Sequence, residues 1–567
     1  MGRLVLAVAV SAVVAGTLAP AAGAETFVAN RLGDPPPGGC RPAACTLREA
    51  VIAANSSAGN DRILLRAGAR YRLRRAGIDD AAAVGDLDVT DPVTIRARGH
   101  GRATIDATRT DRVLDIPDPG ARSRLVRLAL RGGDGAGAGG INAESRLILV
   151  RSVIAGNRGT DDGGIRAGAG LTARASRIVN NRGGAGFDAA GGLDSDSPTD
   201  DVLIAATEIS GNRGGGIGGA EIEGPATIVS SEISANPGRP GMAAMGGGLR
   251  LNGPTRIDRT TIARNIGQSV GGIDAEGLGG GDQLAVLRSR IRANRAVEAG
   301  FGDGAGIKAY ARLRLVRSEV RGNRAGGGGG GVANRGERTV IATTILRANR
   351  SDQEGGGLAL TDTGAPHLVR ISRSTLRDNH AVGDGGGLSF VVAEPSSFLQ
   401  AVNSTVAGNR ADDNGGGLEL RGGVANLNAL TVARNRADAD EAAGGAGGGI
   451  YQGDAFGVGA AVVVSNSLLA LNRVGPDGSD PQCSGTYTSG GGNLITARPG
   501  CTDLAGPQDL VRANPRIGRL GAHGGPTPTI PLRRRSPAIN SARGTAPSRD
   551  QRGVRRRNPD IGAYERR

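Results

Sequence analysis

Apolar and polar residues alternate over short stretches through the central part of the chain. Leu249 and Leu251 flank an arginine, and Ile257 and Ile262 follow after similarly short intervals. This spacing has the two-residue period of a β-strand, whereas an amphipathic helix needs an apolar stripe that recurs about every 3.6 residues. No stripe of helical period runs long enough among the repeats. The pattern therefore predicts an all-β chain and disfavours helical repeats.

One short motif recurs along these strands. It consists of Ser or Thr, then Ile, Leu or Val two places later, then Asn three places after that. The copy that ends at Asn435 has Leu430 in place of the hydroxyl residue, and the copies lie 24 to 37 residues apart. Recurrence at this period indicates stacked units. The asparagines are Asn157, Asn181, Asn212, Asn236, Asn265, Asn294, Asn323, Asn349, Asn379, Asn409, Asn435 and Asn472.

The recurring Asn is interpreted as structural. Asn tolerates the left-handed backbone region, and its amide both donates and accepts, so stacked copies can form a ladder. An amide does not titrate, so acid–base catalysis by these residues is disfavoured. Glycine runs such as 246–248 and 385–387 allow the chain to turn between coils. We predict a parallel β-helix of about twelve or more coils, right-handed by the usual crossover preference, with a capped end on each side.

The chain divides into four predicted regions. Residues 1–24 contain Arg3, an apolar stretch and a small-residue cleavage site, which are typical of a secretory signal peptide. Residues 25–130 are predicted to form an N-terminal cap and the first coils, 131–475 the regular coils, and 476–567 a C-terminal cap domain. No later stretch is apolar enough over about 18 residues to span a membrane, so we expect a secreted, monomeric protein.

Four cysteines fit an oxidising compartment. Three connectivities are formally possible. The local pairs Cys40–Cys45 and Cys483–Cys501 are the simplest, because a rod keeps its two ends apart and a disulfide needs Cα atoms within about 7 Å. Cys-x-x-Cys spacing does not occur, so a cysteine metal site is disfavoured.

The segment 45–55 carries a capping-box pattern, Thr46 followed by Glu49, which predicts a short helix from Leu47 to Asn55. This segment resembles the CSLREA motif that opens a group of secreted bacterial β-helix proteins, with Thr46 in place of Ser. The other end of the chain is similar to the choice-of-anchor Q domain, through Gly491-Gly492-Asn493-Leu494, 514–515, 524–527, 536–540, Asp550-Gln551-Arg552-Gly553 and 560–565.

The repeats between these ends resemble those of polymorphic outer-membrane-protein and pectate-lyase-like β-helices. The resemblance implies the fold and export, and it leaves the activity open. Members of the family often carry an anchoring segment beyond this domain, and here the chain ends two residues after Glu565. We therefore expect no direct anchor.

The net charge is +15, and the segment 533–567 holds eleven Arg against Asp550, Asp560 and Glu565. A polysaccharide or another anionic cell-surface polymer is thus a candidate partner. Nucleic acid is not expected, because the basic segment lacks the interleaved aromatic residues that stack on bases.

Candidate chemistry is sparse. An acidic stretch is interpreted as a polar loop, with Ca²⁺ binding as its alternative, and no other cofactor or metal is expected. Its carboxylates are Asp188, Asp194, Asp196, Asp200 and Asp201.

We predict a non-enzymatic, adhesion-type binding rod that is secreted or associated with the cell surface, and we name no catalytic residue. The alternative is a polysaccharide lyase or glycoside hydrolase that acts on an acidic glycan, which needs carboxyl groups clustered on one face of the rod.

Overall fold

The computed structural model describes residues 23–238, 246–278, 283–362, 364–442, 444–504, 506 and 508–567. It confirms the predicted all-β parallel β-helix. Most of the predicted signal peptide, residues 1–22, lies outside the described residues. Within the described part, one helix occurs, at Leu47–Asn55, and it is not long and apolar enough to cross a membrane.

Each regular coil contributes one strand to each of three sheets, which we call sheets I, II and III in chain order. Each sheet contains 17 strands in the described part of the chain. Successive coils stack in parallel register, as where Ile141 pairs with Leu114 on one side and with Ile165 on the other. A two-residue strand at the corner after sheet III completes many coils.

The strands have the following bounds. Sheet I contains Leu87–Asp88, Leu114–Ile116, Ile141–Ala143, Ile165–Ala167, Leu193–Ser195, Ala220–Ile222, Leu249–Leu251, Ile273–Ala275, Ile307–Ala309, Val332–Asn334, Leu358–Thr361, Leu388–Val391, Leu418–Arg421, Ile450–Ala455, Val458–Gly459, Cys483–Thr486 and Cys501–Thr502. Sheet II contains Thr26–Ala29, Asp61–Arg66, Val93–Arg98, Ser123–Val126, Leu147–Val150, Leu171–Arg174, Val202–Ala205, Ala226–Val229, Thr255–Asp258, Gln283–Leu287, Arg312–Val316, Arg338–Ala342, Leu368–Ser372, Phe398–Val402, Val424–Asn428, Ala461–Ser465 and Thr488–Ser489. Sheet III contains Arg70–Arg72, Ala103–Asp106, Leu128–Arg131, Val153–Ala155, Arg177–Val179, Glu208–Ser210, Glu232–Ser234, Thr261–Ala263, Arg290–Arg292, Glu319–Arg321, Ile345–Arg347, Thr375–Arg377, Thr405–Ala407, Thr431–Ala433, Leu468–Ala470, Leu494–Ile495 and Leu510–Val511. The corner strands are Asp134–Gly135, Arg158–Gly159, Ile266–Gly267, Arg295–Ala296, Arg324–Ala325, Arg350–Ser351, His380–Ala381 and Arg410–Ala411.

The interior of the rod is a column of aliphatic side chains from all three sheets. In one coil these are Ile307 of sheet I, Leu315 of sheet II and Val320 of sheet III, all fully buried. Because side chains alternate across a strand, every second residue of each sheet joins this column. Burial of this continuous apolar surface is the main stabilising contribution to the stack.

The recurring asparagines form a buried ladder beside the interior. The side-chain Nδ2 of Asn265 donates to Oδ1 of Asn294 at 3.0 Å and to the carbonyl of Ile233 at 3.1 Å. The backbone N–H of Asn265 donates to the same Oδ1 at 3.1 Å. This pattern repeats from Asn157 to Asn472, where Gln482 Oε1 accepts the last amide. Each side chain therefore satisfies backbone groups of the coil before it and joins the asparagine side chain of the coil after it.

The expected left-handed backbone conformation of the ladder asparagines is wrong. The ladder asparagines are not in the left-handed region; the residue just before each of them often is, as at Ala293, with φ +54°, and Ala348, with φ +51°. The ladder position is therefore selected for its hydrogen bonds and not for its backbone angles. Gly357 shows a further constraint, since a Cβ there would meet the Gly387 carbonyl at 2.5 Å and Asn379 Nδ2 at 2.9 Å.

The hydroxyl residues of the motif form a second ladder. The backbone N–H of Ser289 donates to Ser318 Oγ at 3.1 Å, and that of Ser318 donates to Thr344 Oγ1 at 3.3 Å. Leu430, which the sequence marks as the exception, offers no hydroxyl to the coil before it. Its own N–H still donates to Ser467 Oγ at 3.0 Å.

The N-terminal helix lies against the first strands of the rod. Thr46 and Glu49 form the capping box at its start. Arg48 is buried and donates to the carbonyls of Ala82, Gly85 and Asp86. The helix is thereby fixed to the first coils.

The C-terminal residues continue the coils and then pack along the side of the rod. The last sheet III strand is Leu510–Val511, and residues beyond it contact earlier coils. Gln551 is fully buried; its amide donates to the carbonyl of Ser374, and its Oε1 accepts from Thr405 Oγ1. The structure contains the disulfides Cys40–Cys45 and Cys483–Cys501.

We expect Asn294→Ala to lower the free energy of unfolding by about 2 kcal/mol, because it leaves the amide groups of Asn265 without their acceptor. Arg292→Ala is the matched control, since Arg292 is exposed on the neighbouring strand. Chemical denaturation of both variants measures the difference. Equal midpoints for the two variants would contradict a stabilising ladder.

Candidate functional site

The central residues of the sheet I strands form a row along the outside of the sheet. In these strands the flanking residues face the interior, so the residue between them points away from it. The backbone register places these residues directly next to one another, as for Arg166 with Asp194 and Asp274 with Lys308. This central row consists of Asp88, Asp115, Asn142, Arg166, Asp194, Glu221, Arg250, Asp274, Lys308, Ala333, Ala359, Ser389, Glu419, Tyr451 and Ser484.

The first half of the central row is filled by interacting charges. Arg250 Nη1 lies 2.9 Å from Glu221 Oε1, and Arg250 Nε lies 3.9 Å from Asp274 Oδ2. Lys308 Nζ lies 2.8 Å from Glu276 Oε1. These side chains are largely buried, and burial raises the pKa of Asp274 to about 6, with the charge of Glu276 adding to the shift. Burial likewise raises the pKa of Asp194.

Three small residues interrupt the row next to a cavity. Ala333, Ala359 and Ser389 occupy consecutive central positions, between Lys308 and Glu419. A cavity of about 960 Å³ lies along this part of the rod, and Glu419 is the member of the row that lines it. Its walls come from the glycine-rich segments before the sheet I strands and from the residues after those strands. The lining residues are Tyr310, Arg335, Asp352, Gln353, Glu354, Thr361, Asp362, Val382, Gly383, Asp384, Val391, Asp413, Glu419, Arg421 and Phe456.

Two ion pairs connect the walls at the ends of this cavity. At one end Arg335 Nη2 lies 3.2 Å from Asp303 Oδ2. At the other end Arg421 Nη2 lies 2.5 Å from Asp384 Oδ2. In each pair the aspartate precedes one sheet I strand and the arginine follows or ends the strand of the next coil. The pairs therefore hold the two walls at a fixed separation.

A buried carboxyl group with a raised pKa lies at the Arg421 end. Glu419 is buried, and burial raises its pKa to about 8, with the charge of Asp384 adding to the shift and Arg421 opposing it. Arg421 Nε lies 2.7 Å from Glu419 Oε1. The Ser389 hydroxyl lies close enough to the Glu419 carboxyl group to lower its pKa, against the effect of burial.

The structure does not bring the five candidate Ca²⁺ ligands together. Asp194 belongs to the central row, whereas Asp196 Oδ2 accepts from Arg166 Nη2 at 2.8 Å. Asp200 Oδ2 accepts from the hydroxyl of Ser197 at 2.6 Å, near the start of a sheet II strand. The remaining candidates are Asp188, in the loop before the sheet I strand, and Asp201, next to Asp200.

A different carboxylate group has the spacing of a metal site. Asp86, Asp88 and Asp115 each offer an oxygen atom within 4.8 Å of the others, which is found for no other group in the described chain. Arg112 already lies 3.0 Å from Asp86 and 3.5 Å from Asp115. Burial raises the pKa of Asp86 to about 8, with Asp88 adding to the shift. The positive charge of Arg112 and the raised pKa of Asp86 thus reduce the repulsion among these three carboxyl groups.

The central row was not predicted from the sequence. In the sequence, a member of the row is the second residue after a glycine pair. Examples are Arg166 in Gly163-Gly164-Ile165-Arg166 and Ala359 in Gly356-Gly357-Leu358-Ala359. Alignment of the repeats on these glycines would have shown the row and the point where charged residues give way to alanine.

No protein-family model matches the chain, and no curated protein matches it either. Among solved structures the chain is similar to the one described as "Crystal structure of pectate lyase Pel9A". The identity is 11%, the alignment covers 96% of each chain, and the TM-score is 0.24.

We expect the stability of the protein to fall as the pH rises from about 4.5 to about 8, since the folded state holds a proton on Glu419 that the unfolded chain releases earlier. Other buried carboxyl groups with raised pKa values, such as Asp86 and Asp274, add to this dependence, and Glu419→Gln removes the part that comes from Glu419. Between pH 5 and pH 8 the free energy of unfolding of the variant should rise by on the order of 2 kcal/mol relative to that of the wild type. Denaturant titration measures this difference. The partly exposed Glu354→Gln is the control; the same gain in both variants would contradict the assignment.

Proposed function

We propose that the protein is an extracellular β-helix that binds a segment of a neutral glycan in the cavity next to Ala333, Ala359 and Ser389. The observation that carries this proposal is the interruption of a charged row by three small residues, between walls that ion pairs hold apart. A rigid, open cavity along a rod suits a segment of a linear polymer.

The lining chemistry favours sugar hydroxyl groups. Carboxylates accept hydrogen bonds from hydroxyls, and aromatic rings supply apolar faces for sugar rings. Phe456 is 84% exposed at the tip of a hairpin formed by Ile450–Ala455 and Val458–Gly459. Tyr310 lies on the cavity wall, with the Arg335 guanidinium 5.7 Å from its ring centre. An exposed Phe on such a wall is more readily explained by a ligand than by packing.

The charge of the cavity argues against the acidic glycan that the sequence suggested for an enzyme. Six lining residues are carboxylic acids and two are arginines. An acidic polymer would meet like charges there, at a cost in desolvation and repulsion. A neutral chain avoids this cost.

The extracellular part of the proposal has its own support. The two disulfides at the ends of the rod are typical of proteins from oxidising compartments. The apolar stretch of residues 4–18 follows Arg3, as in a secretory signal peptide.

We expect Phe456→Ala to weaken binding of a neutral oligosaccharide about tenfold, because it removes the ring at the cavity wall. The probes are cello- and laminari-oligosaccharides, and binding is measured by calorimetry. Phe187→Ala is the matched control: Phe187 is also exposed but does not line the cavity. The proposal would be contradicted if the wild type bound neither series, or if both variants lost affinity equally.

A glycoside hydrolase is the second candidate, because Glu419, whose pKa burial raises to about 8, lines the cavity together with other carboxylates, such as Asp352 and Asp413. A hydrolase needs one carboxylic acid to protonate the leaving oxygen and one carboxylate to act on the opposite side. If the cavity is catalytic, the wild type releases reducing ends from neutral glucans, and Glu419→Gln lowers the rate at least about a hundredfold. No turnover by the wild type would leave binding as the function of the cavity.

A further inference from the structure

The residue that follows each ladder asparagine forms a second row, which we call the arginine row. Ten of its twelve members are basic. The members are Arg158, Arg182, Arg213, Pro237, Ile266, Arg295, Arg324, Arg350, His380, Arg410, Arg436 and Arg473. The backbone pairs neighbouring basic members directly, and seven follow one another without interruption from Arg295 to Arg473. The spacing between them is that of stacked strands, about 4.8 Å.

The fold does not require arginine at these positions. Pro237 and Ile266 occupy the same place in two coils, and the strand pairing continues through Ile266 to Arg295. Like charges directly opposite each other on adjacent strands are destabilising. Seven consecutive basic positions therefore oppose stability, which indicates a role outside folding.

Most of the positive charge in this row is available to a ligand. Six arginines form no ion pair with any described acid: Arg158, Arg182, Arg213, Arg295, Arg410 and Arg473. All six are exposed. The other members have close acidic neighbours, such as Asp412 beside His380 at 2.8 Å.

A groove lies at the C-terminal end of the row. Arg410, Arg436 and Arg473 line this groove of about 1110 Å³ together with Arg434, and its lining includes two acids, Asp378 and Glu441. Burial lowers the pKa of Arg434, and the nearby Arg533 of the C-terminal segment lowers it further. Like charges thus meet at this groove from two parts of the chain.

We propose that the arginine row binds a linear acidic polysaccharide along the rod. A guanidinium group presents parallel N–H donors that match a carboxylate, and a row at constant spacing matches a polymer with one charged group in each repeating unit. The row contains no Phe, Tyr or Trp, so it lacks the large stacking surfaces that single-stranded nucleic acid uses. This site is separate from the cavity over sheet I, whose lining is mainly acidic.

The test compares two triple variants that lose the same charge. Arg295→Gln, Arg410→Gln and Arg473→Gln remove unpaired members of the row. Arg62→Gln, Arg124→Gln and Arg174→Gln remove exposed arginines on sheet II. The probes are alginate, dextran and single-stranded DNA, measured on the full-length secreted protein. Circular dichroism and the melting temperature show that each variant is folded.

We expect the row variant to bind alginate about tenfold more weakly, since each exposed charge pair contributes a factor of roughly two to three. The sheet II variant should bind as the wild type does, and binding should weaken as salt rises. An equal loss in both variants, or no alginate binding by the wild type, overturns the proposal. DNA binding as tight as alginate binding, with the same loss in the row variant, would assign the row to nucleic acid and also overturn it.

Discussion

Strict parallel stacking of the coils is the constraint on which the rest of the structure depends. A coil that slips by one residue turns its aliphatic side chains outward, so register is fixed by the interior. The asparagine ladder reinforces the same register, because each side-chain amide bonds to the backbone of the coil before it and to the asparagine side chain of the coil after it. The loop lengths vary from coil to coil, yet the ladder positions remain aligned.

Stacking has a direct effect on the surface. A position outside the core is repeated at every coil, so any residue type that the sequence favours there becomes a row. On sheet I the row alternates acids and bases where they can neutralise one another, as Glu221, Arg250 and Asp274 do. Where alanine replaces them, the same geometry produces a cavity. The charged and polar groups of this protein are thus arranged in rows along the rod rather than in single loops.

The sequence predicted the elements that depend on local pattern. The strands, the period and the helix at Leu47–Asn55 follow from alternation, recurrence and the capping box. The cavity could not be predicted from these features, because it depends on which residues of distant repeats become neighbours. Asp384 and Arg421 are 37 residues apart in the chain, and only the insertion lengths of two coils decide that they meet. The pKa of Glu419 depends in turn on that contact and on burial.

The two surfaces of opposite charge lie close together without cancelling. The arginine row begins the segment whose later residues form a wall of the cavity: Arg350 is followed by Asp352 and Glu354 within the same turn. Arg350 Nε and Asp352 Oδ1 are 3.3 Å apart, which places an internal ion pair at the boundary. Because a coil changes direction within these few residues, acids and bases that are adjacent in sequence lie on different sides of the corner. The same strand spacing therefore repeats an acidic and a basic surface in parallel along the rod, and we propose that each surface aligns its own polymer.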